Sequence, residues 1–136
     1  MLIMTREKTD EDKIEKFHIT QPNFNIMDVY KVKSFIRRNV TKVVTTEHFN
    51  ERKKEKHIPL PPIHAIMQHG RIFEIKTIKG MLYRFAIRIR DKYGDDIIYV
   101  IQPLYVGENN VHVTIVSAYK NNADDTHKTL DTNLYE

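Results

Sequence analysis

Met81-Leu-Tyr-Arg-Phe-Ala-Ile-Arg-Ile-Arg90 is the stretch whose reading decides the fold of this chain. Met81, Tyr83, Phe85, Ile87 and Ile89 alternate with polar positions that include Arg84, Arg88 and Arg90. A period of two is that of a strand with one apolar and one wet face. Just upstream, Arg71-Ile-Phe-Glu-Ile-Lys-Thr77 is also strand-like, and Lys79-Gly80 offers a tight turn that joins the two as a hairpin. Downstream, Tyr93-Gly94-Asp95 turns the chain into Asp96-Ile-Ile-Tyr-Val-Ile-Gln102. That run is apolar on both faces, as a central strand is, and Pro103 is expected to end it. Gly107-Glu-Asn-Asn110 turns once more into Val111-His-Val-Thr-Ile-Val-Ser-Ala-Tyr119, completing a meander of four antiparallel strands.

A sheet of this kind must bury one face, and the first half of the chain supplies helices to cover it. Asn25 to Asn39 carries Ile26, Val29, Tyr30, Val32, Phe35 and Ile36 at helical spacing, with Arg37 and Arg38 at the end that the helix dipole favours for cations. Val40 to Val44 reads equally as a short strand. Thr45 or Thr46 is a suitable N-cap for a helix over Glu47 to Lys56, which must stop before Pro59. Pro61 and Pro62 suit the first turn of another short helix, Ile63 to His69, closed by Gly70. The expected fold is therefore α+β, with N-terminal helices packed on a four-stranded antiparallel sheet. Residues 1–42 are expected to form an N-terminal extension with a helix, and 43–136 the α+β domain. The tail from Lys120 onward is polar, with Leu130, Leu134 and Tyr135 as anchors.

Composition narrows the function. The chain has 136 residues, 40% hydrophobic and 29% charged, which is one ordinary domain and not a disordered tail. It has no run near the ~20 apolar residues that cross a bilayer, and its first residues lack the features of a signal peptide. A cytoplasmic protein with no membrane partner is expected. Without cysteine there is no disulfide, thiolate metal site or cysteine nucleophile. Four glycines form no phosphate-binding or dinucleotide-binding loop and no nucleophile elbow. The net charge of +4 is unevenly spread: residues 31–57 and 71–92 are strongly basic, 93–136 strongly acidic, and 58–70 carry no formal charge. Two basic blocks can converge on one polyanion while the acidic third sits elsewhere or folds back over them.

Within these blocks a few residues have the chemistry to do more than bind. His48 and Arg52 lie one helical turn apart and so share a face. An imidazole is the side chain that takes or gives a proton near neutrality. Arg84 and Arg88 lie on one sheet face, where guanidiniums can grip phosphate oxygens and neutralise charge developing at phosphorus. Arg71, Lys76 and Lys79 are candidates for the same surface, the register of the Lys79-Gly80 turn deciding which of them join it, and Lys53, Lys56 and Arg90 are further basic candidates for holding a polyanion. Asp124, Asp125 and His127 have metal-ligating atoms, but an Asp- and Asn-rich loop is more often a turn, and His127 reads better as a second acid or base or a phosphate contact. No metal or other cofactor is expected.

Val43 to Glu74, with His48-x-x-x-Arg52, the basic segment, Ile58, the short helix and Gly70-Arg-Ile-Phe-Glu74, resembles the small RelE-like proteins grouped with barnase-like and colicin-like ribonucleases. The ending Val113-Thr-Ile-Val-Ser-Ala-Tyr119, followed by His127-Lys-Thr-Leu-Asp131, looks like the last strand and tail of toxin-type members. The resemblance implies metal-independent RNA cleavage by attack of the ribose 2′-hydroxyl. By position it makes His48 an acid or base, Arg84 and Arg88 stabilisers of the phosphorane, Arg52 a phosphate-positioning group, and Tyr119 and His127 candidates for the complementary proton transfer. Single-stranded or messenger RNA is the expected substrate, because Tyr83, Tyr93, Tyr99, Tyr105 or Phe49 can stack only on unstacked bases. Residues 1–42 are a candidate site for a protein partner or antitoxin. Two other functions compete with this endoribonuclease: a non-catalytic RNA- or DNA-binding module, which needs only a continuous basic surface, and a protein-interaction or inhibitory factor, in which the arginine face is covered or broken up.

Overall fold

The computed structural model describes residues 29–78, 81–90, 94 and 96–130. Along them the chain forms α1 (Val29–Asn39), β1 (Val40–Thr45), α2 (Glu47–Lys56), α3 (Ile63–His69), β2 (Arg71–Ile78), β3 (Met81–Arg90), β4 (Asp96–Gly107) and β5 (Asn110–Tyr119). The fold is α+β. Its sheet has five strands in the order β1-β5-β4-β3-β2, antiparallel throughout except that β1 runs parallel to β5. The expected four-stranded antiparallel sheet is thus one strand short. β1 gives no alternating signal because its four middle residues are all exposed. It is a strand because the edge of β5 offers it backbone partners from Val40↔Val111 to Thr45↔Ile115. It also contains residue 42, and Val32 and Ile36 of α1 share one core with Phe49 of α2.

Helix boundaries follow local chemistry closely. Thr46 is the N-cap of α2, its hydroxyl accepting the Phe49 N–H at 3.0 Å. α2 ends where His57 adopts a left-handed conformation, φ 55° and ψ 46°, and returns its N–H to Lys53. α3 ends at Gly70, whose N–H donates to the Ile66 carbonyl at 2.9 Å. Lys33 of α1 donates to the Gly70 carbonyl at 2.5 Å, and burial together with the nearby Arg37 holds its pKa below the ordinary lysine value. Gly70 is also a point of close approach: a Cβ there would stand 2.5 Å from the Ile66 carbonyl oxygen and 2.6 Å from Ile87 side-chain carbons. Gly70→Ala is therefore expected to lower stability by about 1–3 kcal/mol through overpacking, read as a lower urea midpoint with an unchanged slope; an unchanged midpoint would refute the close contact.

The helices cover one face of the sheet. Val32, Ile36, Phe49, Ile58, Ile63, Ile66 and Met67 pack there against Phe85, Ile87, Ile97, Tyr99, Ile101, Val113 and Ile115. The Tyr99 hydroxyl reaches through this layer to donate to the Pro59 carbonyl at 2.5 Å. Pro103 does not end its strand. β3 pairs with β4 only as far as Phe85↔Ile101, so Pro103, opposite Val113, borders β5 alone, where a residue without an N–H disturbs one ladder at most.

Three bulges decide which side chains face away from the helices. Between Ile72 and Glu74 of β2, between Leu82 and Arg84 of β3, and between Ile115 and Ser117 of β5, two residues of one strand advance against one of its neighbour. The extra residues are Phe73, Tyr83 and Val116, and each bulge breaks the alternation locally. Tyr83 therefore does not join Phe85, as strict alternation predicts. Leu82 enters the helix-side core in its place, and the Tyr83 ring lies 4.7 Å from the Arg84 guanidinium carbon and 5.8 Å from Lys76 Nζ.

Candidate functional site

β1 stops at Thr45, yet β5 continues to Tyr119, so the second half of β5 has no strand on its outer edge. α2 takes that place. Thr46 donates its N–H to the Ile115 carbonyl at 3.2 Å and its hydroxyl to the Val116 carbonyl at 2.8 Å, and Arg52 Nε donates to the Ala118 carbonyl at 3.1 Å. The side of α2 that bears His48 and Arg52 is thereby pressed against the sheet edge, while Phe49, between them in sequence, is fully buried in the core. His48 Nε2 lies 3.1 Å from Oγ of the buried Ser117, and the Arg52 guanidinium lies 4.7 Å from the Tyr119 ring centre.

Beyond Tyr119 the chain crosses the face that the helices leave free. Leu130 is buried there with Ala86, Ile98, Val100, Val116 and Tyr119. This strap is held by two carboxylates. Asp125 forms an ion pair with Arg52 and accepts the Lys120 N–H at 2.9 Å. Glu74 of β2 meets His127 Nε2 at 2.6 Å, and accepts the Thr129 hydroxyl at 2.8 Å and the Leu130 N–H at 3.0 Å. Burial pushes the Glu74 carboxyl up, but these three donors and the His127 charge outweigh it and hold it below its ordinary value. The His127 ring lies 5.3 Å from that of Tyr119 and 6.1 Å, edge to face, from that of Phe73. Arg52, Tyr119, His127 and Glu74 therefore form one continuous chain of contacts, with His48 joined to it through Ser117 on the same strand as Tyr119.

The depressed Glu74 carboxyl carries a sign that can be tested. A folded-state pKa below the unfolded one contributes stability above the ordinary glutamate value of about 4.3, and that stability is lost as pH falls through the lower folded value. Relative to the free-chain rate at the same pH, exchange of the Leu130 amide is expected to accelerate in acid, below the ordinary glutamate range, before that of Ile101, with Glu74→Gln showing fast Leu130 exchange already at neutral pH. Equal acceleration of the two amides would contradict this.

Arg84 is buried on the same face and donates from Nε to Gln102 at 2.8 Å. Ala86, its neighbour two residues along β3, pairs with Val100, and Val100 pairs with Ser117. Strand spacing and rise place the backbones of Arg84 and Ser117 on the order of 12 Å apart. Arg88 belongs to another network: it grips Asp96 through Nε at 2.8 Å and a terminal nitrogen at 2.5 Å, and Asn121 donates to the same carboxylate at 2.8 Å. Arg88 and Asn121, with Arg90 at 3.8 Å, hold the Asp96 carboxyl below its usual range. Of the other basic candidates, Lys53, Arg71 and Arg90 are exposed, Lys56 and Lys76 are half-buried, and Lys79 lies outside the described residues. Lys76 points to the strap, its Nζ 3.5 Å from the Leu130 carbonyl.

Asp124, Asp125 and His127 do not converge: Asp125 goes to Arg52, His127 to Glu74, and Asp124 is exposed. Among the described residues no three His, Asp or Glu side chains gather at metal-ligating spacing. The expected stacking aromatics Phe49, Tyr83, Tyr99 and Tyr105 are all buried, because bulges and helix packing turn them inward; Tyr93 lies outside the described residues. Among the described residues, Tyr30 on α1 and Phe73, 47% exposed beside His127, are the aromatics that remain open. Glu74, Gln102 and Ser117 escape the sequence reading. Only Glu74 leaves a trace there, as a lone carboxylate inside an otherwise apolar and basic strand. No helix among the described residues is long and apolar enough to cross a membrane. The chain matches no family model, no curated protein and no solved structure.

Proposed function

We propose that this protein is a small, toxin-like, metal-independent endoribonuclease of RelE-like architecture that acts in the cytoplasm on single-stranded or messenger RNA. One observation carries the reading: proton-transfer groups and guanidiniums lie along the free face of the sheet and its β5 edge, His48 on Ser117, Arg52 on Tyr119 and His127 on Glu74, with Arg84 on the same face two strands away. In the reaction a base removes the ribose 2′-hydroxyl proton, the oxygen attacks phosphorus, the bond to the 5′-oxygen breaks, and an acid protonates that oxygen. A 2′,3′-cyclic phosphate and a free 5′-hydroxyl result. His48 serves at one end of this transfer. His127, hydrogen-bonded to Glu74, serves at the other. Arg52 and Arg84 hold the phosphate as charge develops on it.

The test is incubation of purified protein with RNA in EDTA, followed by analysis of the ends. New 2′,3′-cyclic phosphate termini support the proposal. Intact RNA with retained binding in a gel shift would replace it by a non-catalytic RNA-binding function; the engagement of Arg52 and Arg88 by carboxylates favours instead the protein-interaction or inhibitory factor, in which the arginine face is broken up. A protein partner or antitoxin bound through residues 1–42 belongs to the same proposal.

A further inference from the structure

The contacts of Asp125 have a form that suits a different anion. One carboxylate oxygen pairs with an Arg52 terminal nitrogen, and the other accepts the Lys120 backbone N–H at 2.9 Å. A guanidinium and a main-chain N–H thus converge on the two oxygens of one negative group, and a phosphodiester offers the same two-oxygen, single-charge target. Arg52 does not need Asp125 to hold its position. Its Nε is anchored on the Ala118 carbonyl, and its plane rests over Tyr119.

Asp125, by contrast, arrives on a turn that is nearly self-contained. Asn122 and Asp125 bridge each other through N–H···O contacts of 3.4 and 3.1 Å, the Asp124 N–H donates to the Asn122 side chain at 3.0 Å, and the Thr126 hydroxyl donates to the Asn122 carbonyl at 2.7 Å. The turn opens at Asn121, in the left-handed region at φ 48°, which asparagine tolerates better than most side chains. Paired strand ends at Tyr119. Lifting this turn breaks none of the sheet's hydrogen bonds.

We propose that Arg52 and the Lys120 N–H form a phosphate subsite for a nucleic-acid backbone, and that the Asp125 carboxylate fills it in the resting protein, so that polyanion binding must displace the strap. The inference rests on the nucleic-acid reading above for the identity of its ligand. It explains why an acidic turn is seated on the basic helix: the carboxylate neutralises a desolvated guanidinium until a phosphate replaces it.

The test uses the full chain and a fluorescent single-stranded oligodeoxynucleotide, which lacks the 2′-hydroxyl and stays uncleaved, at one fixed low salt concentration. Asp125→Asn is expected to bind about tenfold more tightly than the native protein, the size of one freed charged contact. Asp124→Asn, which removes the same charge from an exposed site, is expected to gain about twofold or less because solvent and salt screen it. Adding Arg52→Ala to Asp125→Asn should abolish the gain. In the native protein, bound oligonucleotide should speed hydrogen exchange at the Asp125 amide, because the lifted turn keeps only its own local bonds, and leave the Lys120 amide protected by the phosphate. Equal affinities for folded Asp125→Asn and Asp124→Asn would overturn the subsite alone. If Asp125→Asn does not fold, an Asp125 amide whose exchange is unchanged in the native complex would overturn it. Absence of binding by every form, the native one included, would overturn the subsite and the nucleic-acid reading together.

Discussion

Replacing His48 by alanine is expected to lower RNA cleavage in EDTA by about 10²–10⁴-fold, the usual worth of a positioned acid or base. His48 is half-buried at the edge of the sheet, and Ser117 is its hydrogen-bonding partner. The imidazole contributes little to the core, which is anchored by its neighbour Phe49, so the variant should fold. Arg84→Ala is expected to lose activity to a similar degree through weaker stabilisation of the phosphorane, and to bind RNA less well. A folded His48→Ala protein that cleaves at the native rate would remove His48 from the mechanism.

Phe49→Ala is the change expected to cost most in stability, about 3–5 kcal/mol as for other buried aromatic truncations. Phe49 is fully buried, and it is the side chain through which α2 enters the helix-side core, so one cavity loosens the element that carries both His48 and Arg52. The expected result is a large drop in the urea midpoint and, under conditions where the variant is still folded, weaker protection of the Ala118 and Lys120 region that Arg52 holds. A midpoint within error of the native one would mean that α2 is fixed by its edge hydrogen bonds alone. The contrast with His48→Ala separates the anchor of the helix from the groups it presents.

Much of the architecture was legible locally. The Thr46 cap, the end of α2 before Pro59, the stop at Gly70 and the strands β2, β3 and β5 all follow from capping chemistry, proline geometry and period-two hydrophobicity. β1 was ambiguous because its side chains carry no buried face, and its partner β5 lies about seventy residues further along the chain. The turn of Tyr83 away from the helix-side core was hidden because a bulge leaves no fixed mark in a sequence read one strand at a time. His48, Arg52, Tyr119 and His127 were legible as residue types at suggestive spacings, but Ser117 and Gln102 were invisible, since a serine or glutamine in a strand reads as an ordinary wet position.

By itself, then, the amino-acid sequence determined the local elements of this protein, the absence of thiol and phosphate-loop chemistry, and the two basic blocks with an acidic ending. Those properties depend on neighbours a few positions away. Tertiary structure alone decided that α2 occupies the edge that β1 leaves open, that three bulges sort the aromatics, and that Asp125 and Glu74 receive Arg52 and His127. Each of these is a contact between residues distant in the chain, and such contacts are selected by the competition of whole surfaces for burial and of buried charges for partners, which no local spacing encodes.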